Sequence, residues 1–262
     1  MKMKPTSKAF VSLLLCFFAS YLLPSFSQEP IQLSTETEDI ALTDDVNIAR
    51  AQVAKYPDNP EAHFNLAIAL SHTSFVEESI KELRKTKILI RKEKNAGTID
   101  KKIDEYKEMI KSNPKANNIR YRLAFCHYLK AYLINKKLKE SEGENKSKNK
   151  KTKLDLLGSN LLSLNKNNLQ IKENLELSTS YFKELLKIDP NDNWAKVYYG
   201  FILAEQMGET EKARGLWNEV VKQDPNNPAP HFFLGELQIK EGKLKEGIME
   251  ISQAILLRSL GY

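Results

Sequence analysis

Gly208, Ala213-Arg214-Gly215-Leu216-Trp217, Val220 and Asp224-Pro225-Asn226-Asn227 form one unit of this chain. Leu234-Gly235, Gly242, Gly247-Ile248-Met249-Glu250-Ile251 and Ala254 form the next. Pro190 to Pro225 spans 35 residues and Pro225 to Ser259 spans 34. Each unit reads as two helices. Small residues (Gly200, Ala213, Gly235, Gly247, Ala254) stand where helices must approach closely, and Tyr199, Trp217, Leu234 and Ile251 fill the spaces between. Pro225 stops one helix, and Pro228 falls near the first turn of the next, where a missing N–H costs nothing. Trp217 is expected in the core. Gly200 and Gly208 lie eight apart rather than seven, so the first helix of that unit carries one extra residue.

The pattern recurs upstream. Tyr56-Pro57-Asp58-Asn59-Pro60 opens a unit with Phe64, Leu66 and Ala67, followed by Ser79, Leu83 and Thr86. Ser112-Asn113-Pro114 opens another with Tyr121, Leu123 and Ala124, whose second helix arrives late with Ser178, Phe182 and Leu185. The prolines Pro57, Pro114 and Pro190 lie 57 and 76 residues apart, which leaves extras of 23 and 42 residues over one 34-residue unit. In the first extra segment, Ile99, Ile103, Tyr106 and Ile110 have helical spacing behind Thr98, a residue able to cap them. The second extra segment has two halves. Lys136 to Lys153 is rich in Lys, Asn, Ser and Glu and is expected to stay unordered. Leu154 to Leu177 is leucine-rich and reads as helix interrupted at Gly158 and at Asn165-Lys166-Asn167-Asn168.

A two-helix period of about 34 residues with these small and large positions resembles the tetratricopeptide repeat family. The resemblance covers about residues 44–258, with both insertions outside it. It implies an all-α solenoid of helical hairpins, in which no hairpin buries its apolar face alone and neighbours stack. It also implies a concave groove lined by the first helix of each hairpin. Carried over, the groove positions are Phe64 and Ile68, then Tyr121, Phe125 and Tyr128, then Trp194, Val197 and Phe201, then Phe232. A one-residue error in register turns such a residue by about 100°, which would put it in the core instead. One subclass of the family grips a partner's C-terminal carboxylate with lysine, arginine and asparagine. Asn65 matches one asparagine slot, but Phe64 and Ile68 stand where a lysine and a second asparagine belong, so that clamp is not built here.

The first 27 residues read as a secretory signal: Lys2, Lys4 and Lys8, an apolar run from Ala9 to Leu23, Pro24, then small residues before a cut after Ser27. The alternatives are a retained anchor, for which the run is short, and lipidation at Cys16, for which Leu15 is too large. The expected division is a signal at 1–27, a linker at 28–43, hairpin helices at 44–135, the lysine segment at 136–153, the leucine helix at 154–177 and a second hairpin block at 178–262. Without the signal the chain has 37 basic and 34 acidic residues, and the lysine segment alone accounts for a net +5. Nucleic-acid binders carry their basic stripe on the folded surface, so nucleic acid is not the partner this distribution favours. Cys126, alone after cleavage, has no internal disulfide partner.

No phosphate loop, nucleophile elbow, His-Glu-x-x-His or Cys-x-x-Cys motif is present. The four histidines do not cluster. His63 and His231 occupy the same slot of two repeats and read as packing. No catalytic site, metal, cofactor or small-molecule substrate is implied. The expected function is an exported scaffold, in a periplasm or cell envelope or secreted, that binds a protein or peptide through an apolar, aromatic groove. The alternative is a structural subunit whose groove is filled by residues 154–177 or by a second copy. Ile248, Ile251, Ile255 and Leu256 cannot all face the preceding hairpin, so apolar surface is expected there, fit for a partner or a second copy.

Overall fold

The computed structural model describes residues 36–92, 97–148 and 155–262. The expected signal, residues 1–27, lies outside them. The chain divides into two compact units, residues 1–39 and 40–262, and the hairpins all lie in the second. All regular structure among the described residues is helical.

Helix α1 (Glu36–Lys55) leads into the hairpin of α2 (Pro60–Leu70) and α3 (Val76–Lys92). Helix α4 (Gly97–Ser112) follows, then a long hairpin of α5 (Asn117–Lys148) and α6 (Asp155–Ile188). Two shorter hairpins complete the stack: α7 (Asn193–Ile202) with α8 (Thr210–Gln223), and α9 (Pro228–Lys240) with α10 (Leu244–Ser259). The turns before α2, α7 and α9 supply their own caps. Asn59, Asp192 and Asn227 each accept a backbone N–H of the first turn, at 2.8, 2.9 and 3.0 Å. These bonds satisfy donors that a helix start otherwise leaves open.

The hairpins close as the small-residue positions require. A Cβ on Gly235 would lie 2.7 Å from the Gly247 carbonyl oxygen, and one on Gly200 would lie 2.6 Å from Trp217 Nε1. Trp217 is buried, donates its indole N–H to the Val197 carbonyl at 3.0 Å and stacks on Phe233 at 5.5 Å. Gly200→Ala should therefore destabilise the fold by about 1–3 kcal/mol, the range for overpacking a tight core. A denaturant midpoint equal to that of the parent would contradict the contact. The extra residue between Gly200 and Gly208 is absorbed as a π-helical turn, Leu203–Met207, which Gly208 ends at φ 71°. One additional residue in a helix characteristically takes this form.

Helix α4 is the helix expected of the first extra segment, with Ile99, Ile103 and Tyr106 buried against α5. The second extra segment departs from expectation. It lengthens both helices of one hairpin. The lysine segment is helical as far as Lys148, and residues 149–154 lie outside the described residues. Lys and Glu are good helix formers, and extending a helix already nucleated on the core avoids a new nucleus. The leucine segment, from Asp155, is continuous with the second helix of the hairpin, without a break at Gly158 or at Asn165–Asn168. Each such residue costs about 1 kcal/mol or less in a helix. Packing of α6 on α5 offsets this: Leu175, Phe182 and Leu185 are buried, and Ser178 Oγ donates to the Ala124 carbonyl at 2.7 Å.

The last helix leaves apolar surface in solvent. Ile248, Met249, Ile255, Leu256 and Leu260 are exposed, whereas Leu257 is buried. Among the described residues no helix is long and apolar enough to cross a membrane.

Candidate protein-binding face

Helices α5, α7 and α9, the first members of three hairpins, together build one face, and the π-helical turn adds Glu205 to it. Of the nine residues expected to line an open groove, seven are buried: Phe64, Ile68, Tyr121, Phe125, Tyr128, Val197 and Phe201. Trp194 and Phe232 are half-buried. The groove is therefore not open at these seven positions. Part of the reason is register within the stack. Phe125 meets Phe182 and Tyr198 edge-on, at 5.8 and 5.3 Å, inside the core between hairpins.

Tyr128 and Phe201 are also covered by α3, the second helix of the first hairpin. Helix α3 lies against α5 and α9 and brings Ile80 and Leu83 beside Phe201, Phe233 and Leu237. At one end of α3, Val76 and Glu77 line a small pocket together with Phe232 and Ile251. Asn174 of the leucine segment lies 2.9 Å from His127 Nδ1 on α5, and Tyr181 of the same helix stacks on that ring. The sequence interval between α3 and the residues it covers carries no periodic signal.

The contacts of α3 with this face are both apolar and ionic. Lys87 Nζ donates to Glu205 Oε1 at 2.9 Å and lies 4.6 Å from the ring centroids of both Tyr128 and Tyr132. The Tyr128 hydroxyl donates to the second oxygen of Glu205. Burial holds the Lys87 ammonium below the usual lysine range, and Glu205 opposes that shift. Arg84 pairs with Glu236 at 3.0 Å nearer solvent. A cavity of about 330 Å³ remains between α3 and the helices beneath it, floored by Phe201, Trp217 and Phe233. Sequence reasoning passed over Lys87, Tyr132 and Glu205. The available signals were a lysine at helical spacing with Ile80, Leu83 and Ile90, and a carboxylate within the one-residue insertion.

No family model and no curated protein matches the chain. Among solved structures, the crystal structure of MamA is 12% identical, covering 88% of this chain and 98% of that one, with a TM-score of 0.34. YrrB, a TPR protein with an unusual peptide-binding site, is 16% identical, covering 82% and 94%, with a TM-score of 0.30. The repeated hairpins carry the fold on their own geometry: it is an all-α, tetratricopeptide-like stack.

The histidines serve packing and capping contacts. His63 and His231 each reach a glutamate 19 residues onward in the second helix of the hairpin, Glu82 and Glu250 respectively. Asn65, the matching clamp position, accepts from Arg122 at 2.7 Å. Burial pushes the Cys126 thiol up to about 12, so it is not a thiolate nucleophile at neutral pH. Among the described residues no group of His, Cys, Asp and Glu is placed to hold a metal ion.

His72, in the turn between α2 and α3, packs edge-on against Tyr121 at 4.5 Å and lies 6.2 Å from Trp194. Tyr121 in turn donates to Asp192, the α7 cap, at 2.7 Å. Burial lowers the His72 pKa, while nearby Asp192 raises it and Arg122 lowers it further. The folded state thus favours the neutral ring. Its contribution is complete above the unfolded value of about 6.5 and is lost as pH falls from there through the lower folded value. Between pH 7 and pH 5 the thermal midpoint of the parent should fall more than that of His72→Phe. Parallel curves would exclude His72 as a source of the acid sensitivity.

Proposed function

We propose that the chain is an exported scaffold that binds an amphipathic helix of another protein on the face of α5, α7 and α9, without catalysis of its own. The observation that carries this reading is the present occupant of that face. A helix with an apolar stripe and two cations already lies there, meeting aromatic side chains and carboxylates, which is how helices are recognised in grooves. Binding to the chain freed of residues 1–27 should be shared by amphipathic helical peptides and should fall little with salt. A steep loss with salt, with nucleic acid bound more tightly than any helix, would overturn the reading in favour of phosphate recognition. Export is part of the proposal and rests on the N-terminal sequence. N-terminal sequencing of protein from the native host should begin at Gln28, whereas an intact Met1 or a lipid on Cys16 would refute it.

A second reading, a structural subunit, is favoured by the apolar surface of α10. Its partner would be a second copy meeting Ile248, Leu256 and Leu260. Sedimentation should then give a dimer that Leu256→Glu/Leu260→Glu converts to monomer. A monomer in both cases would remove it.

A further inference from the structure

We propose that the cavity between α3 and the last two hairpins is a binding site for a small apolar carboxylate, whose hydrocarbon part rests on Phe201, Trp217 and Phe233 and whose anionic head meets Lys240. This goes beyond the scaffold reading, since it needs no protein partner and leaves α3 in place.

The first observation is size. Protein cores leave few spaces larger than a water molecule. The joins around this one conform: a Cβ on Gly200 would run into Trp217, and one on Gly235 into Gly247. Between the same helices the cavity measures about 330 Å³. Pockets for small molecules span about 300–1,000 Å³, so the volume bounds the ligand to one compact molecule.

The second observation is the lining. Ile80 and Leu83 of α3 face Phe201, Trp217, Phe233 and Leu237 across the cavity, an apolar wall drawn from four helices. Charge gathers where the cavity opens. The Arg84 side chain is largely in solvent, and Lys240 is exposed. An apolar interior with charge at the opening suits a molecule that is apolar along its length and charged at one end.

The third observation sets the sign of that charge. Arg84, Lys87 and Lys240 line the cavity together with Glu205, Glu236 and Glu241. Each carboxylate is already paired. Glu236 takes Arg84 at 3.0 Å and Glu205 takes Lys87 at 2.9 Å. Glu241 is held from outside the cavity by Arg214 and Lys243, at 2.5 and 2.9 Å. Among the described residues no ion pair engages Lys240, so one positive charge at the opening is left uncompensated. Its field reaches Lys87. Burial holds that ammonium below the usual lysine range, Glu205 opposes the shift, and Arg84 and Lys240 add to it. An anion beside Lys240 relieves this repulsion, whereas a second cation would add to it.

The chain as its native host processes it is titrated calorimetrically with octanoate, 1-octanol and octylammonium, which share an eight-carbon chain and differ at the head. Octanoate should bind one-to-one and at least about 10-fold more tightly than 1-octanol, the worth of a charge-assisted contact. Octylammonium should bind more weakly than either. Lys240→Gln, at an exposed position, should bring octanoate down to the affinity of 1-octanol. Ala204 lines the cavity, so Ala204→Phe should fill it and remove binding of both, with near-UV dichroism and a cooperative melt reporting that the variant folds. Leu256→Glu/Leu260→Glu, on the apolar surface of α10, should bind octanoate as the parent does. Absence of octanoate binding would overturn the proposal. Equal affinities for octanoate and 1-octanol, tighter binding of octylammonium, or a Lys240→Gln variant that keeps the parent's preference would each overturn the carboxylate. Octanoate binding that persists in folded Ala204→Phe, or that is lost in the α10 variant, would put the ligand elsewhere and overturn the site. If Ala204→Phe does not fold, the Lys240→Gln comparison decides.

Discussion

Trp217→Ala should lower the stability of the chain by about 3–5 kcal/mol, the range for deleting a large buried aromatic side chain. Trp217 is 2% exposed and touches two other helices of the stack, α7 and α9. It lies over the bare α-carbon of Gly200, donates to Val197 and stacks on Phe233 with the rings 13° from parallel. Truncation removes the aromatic area, leaves a void that Gly200 cannot fill, and orphans no donor because the indole N–H goes with it. Equilibrium denaturation with matched slopes for parent and variant measures the effect. A loss under about 1 kcal/mol would mean that α7 and α8 do not meet as described. Phe233→Ala should be non-additive with it, since the two rings share one contact.

Gly235→Val should cost about 3 kcal/mol, at the upper end for overpacking. The first added carbon would meet the Gly247 carbonyl oxygen at 2.7 Å and Ile251 Cγ1 at 2.6 Å. A side-chain carbon could rotate away, but the carbonyl belongs to the backbone of α10 and cannot move without opening the hairpin. Gly247 faces the same restriction from the other side, where its Cβ would lie 2.8 Å from the Gly235 oxygen. Gly215, whose Cβ would meet nothing, is the internal control. Gly215→Ala should be neutral or slightly stabilising, since alanine is the better helix former. If both substitutions gave the same midpoint, the close crossing of α9 and α10 would be refuted.

These two residues illustrate what could be read in advance. The large position at Trp217 and the small positions at Gly200, Gly235 and Gly247 were legible because hairpin packing is local. Each contact joins residues separated by less than one repeat, and the period itself marks them. The additional residue between Gly200 and Gly208 was legible for the same reason, as a fault in a regular spacing. The groove was less legible. Phe64, Tyr121 and Phe201 were placed on the correct helices, but a position on the first helix of a hairpin does not reveal what lies over it. The helix of the leucine segment was legible, but its expected breaks, and the expected lack of order in the lysine segment as far as Lys148, failed because composition was weighed without the helices these segments extend. Propagation from α5 and α6 needs no nucleus of its own.

The sequence by itself determined the repeating hairpins and the residues that let them close. All of these depend on 3.6-residue periodicity and on neighbours within one unit. Only the tertiary structure decided that α3 lies across the face of the later hairpins. That placement depends on Lys87 meeting Glu205 118 residues away and Arg84 meeting Glu236 152 residues away. No local spacing encodes such a separation. It is set by which apolar face remains uncovered once the hairpins have stacked, and by the carboxylates that the stack happens to present beside it.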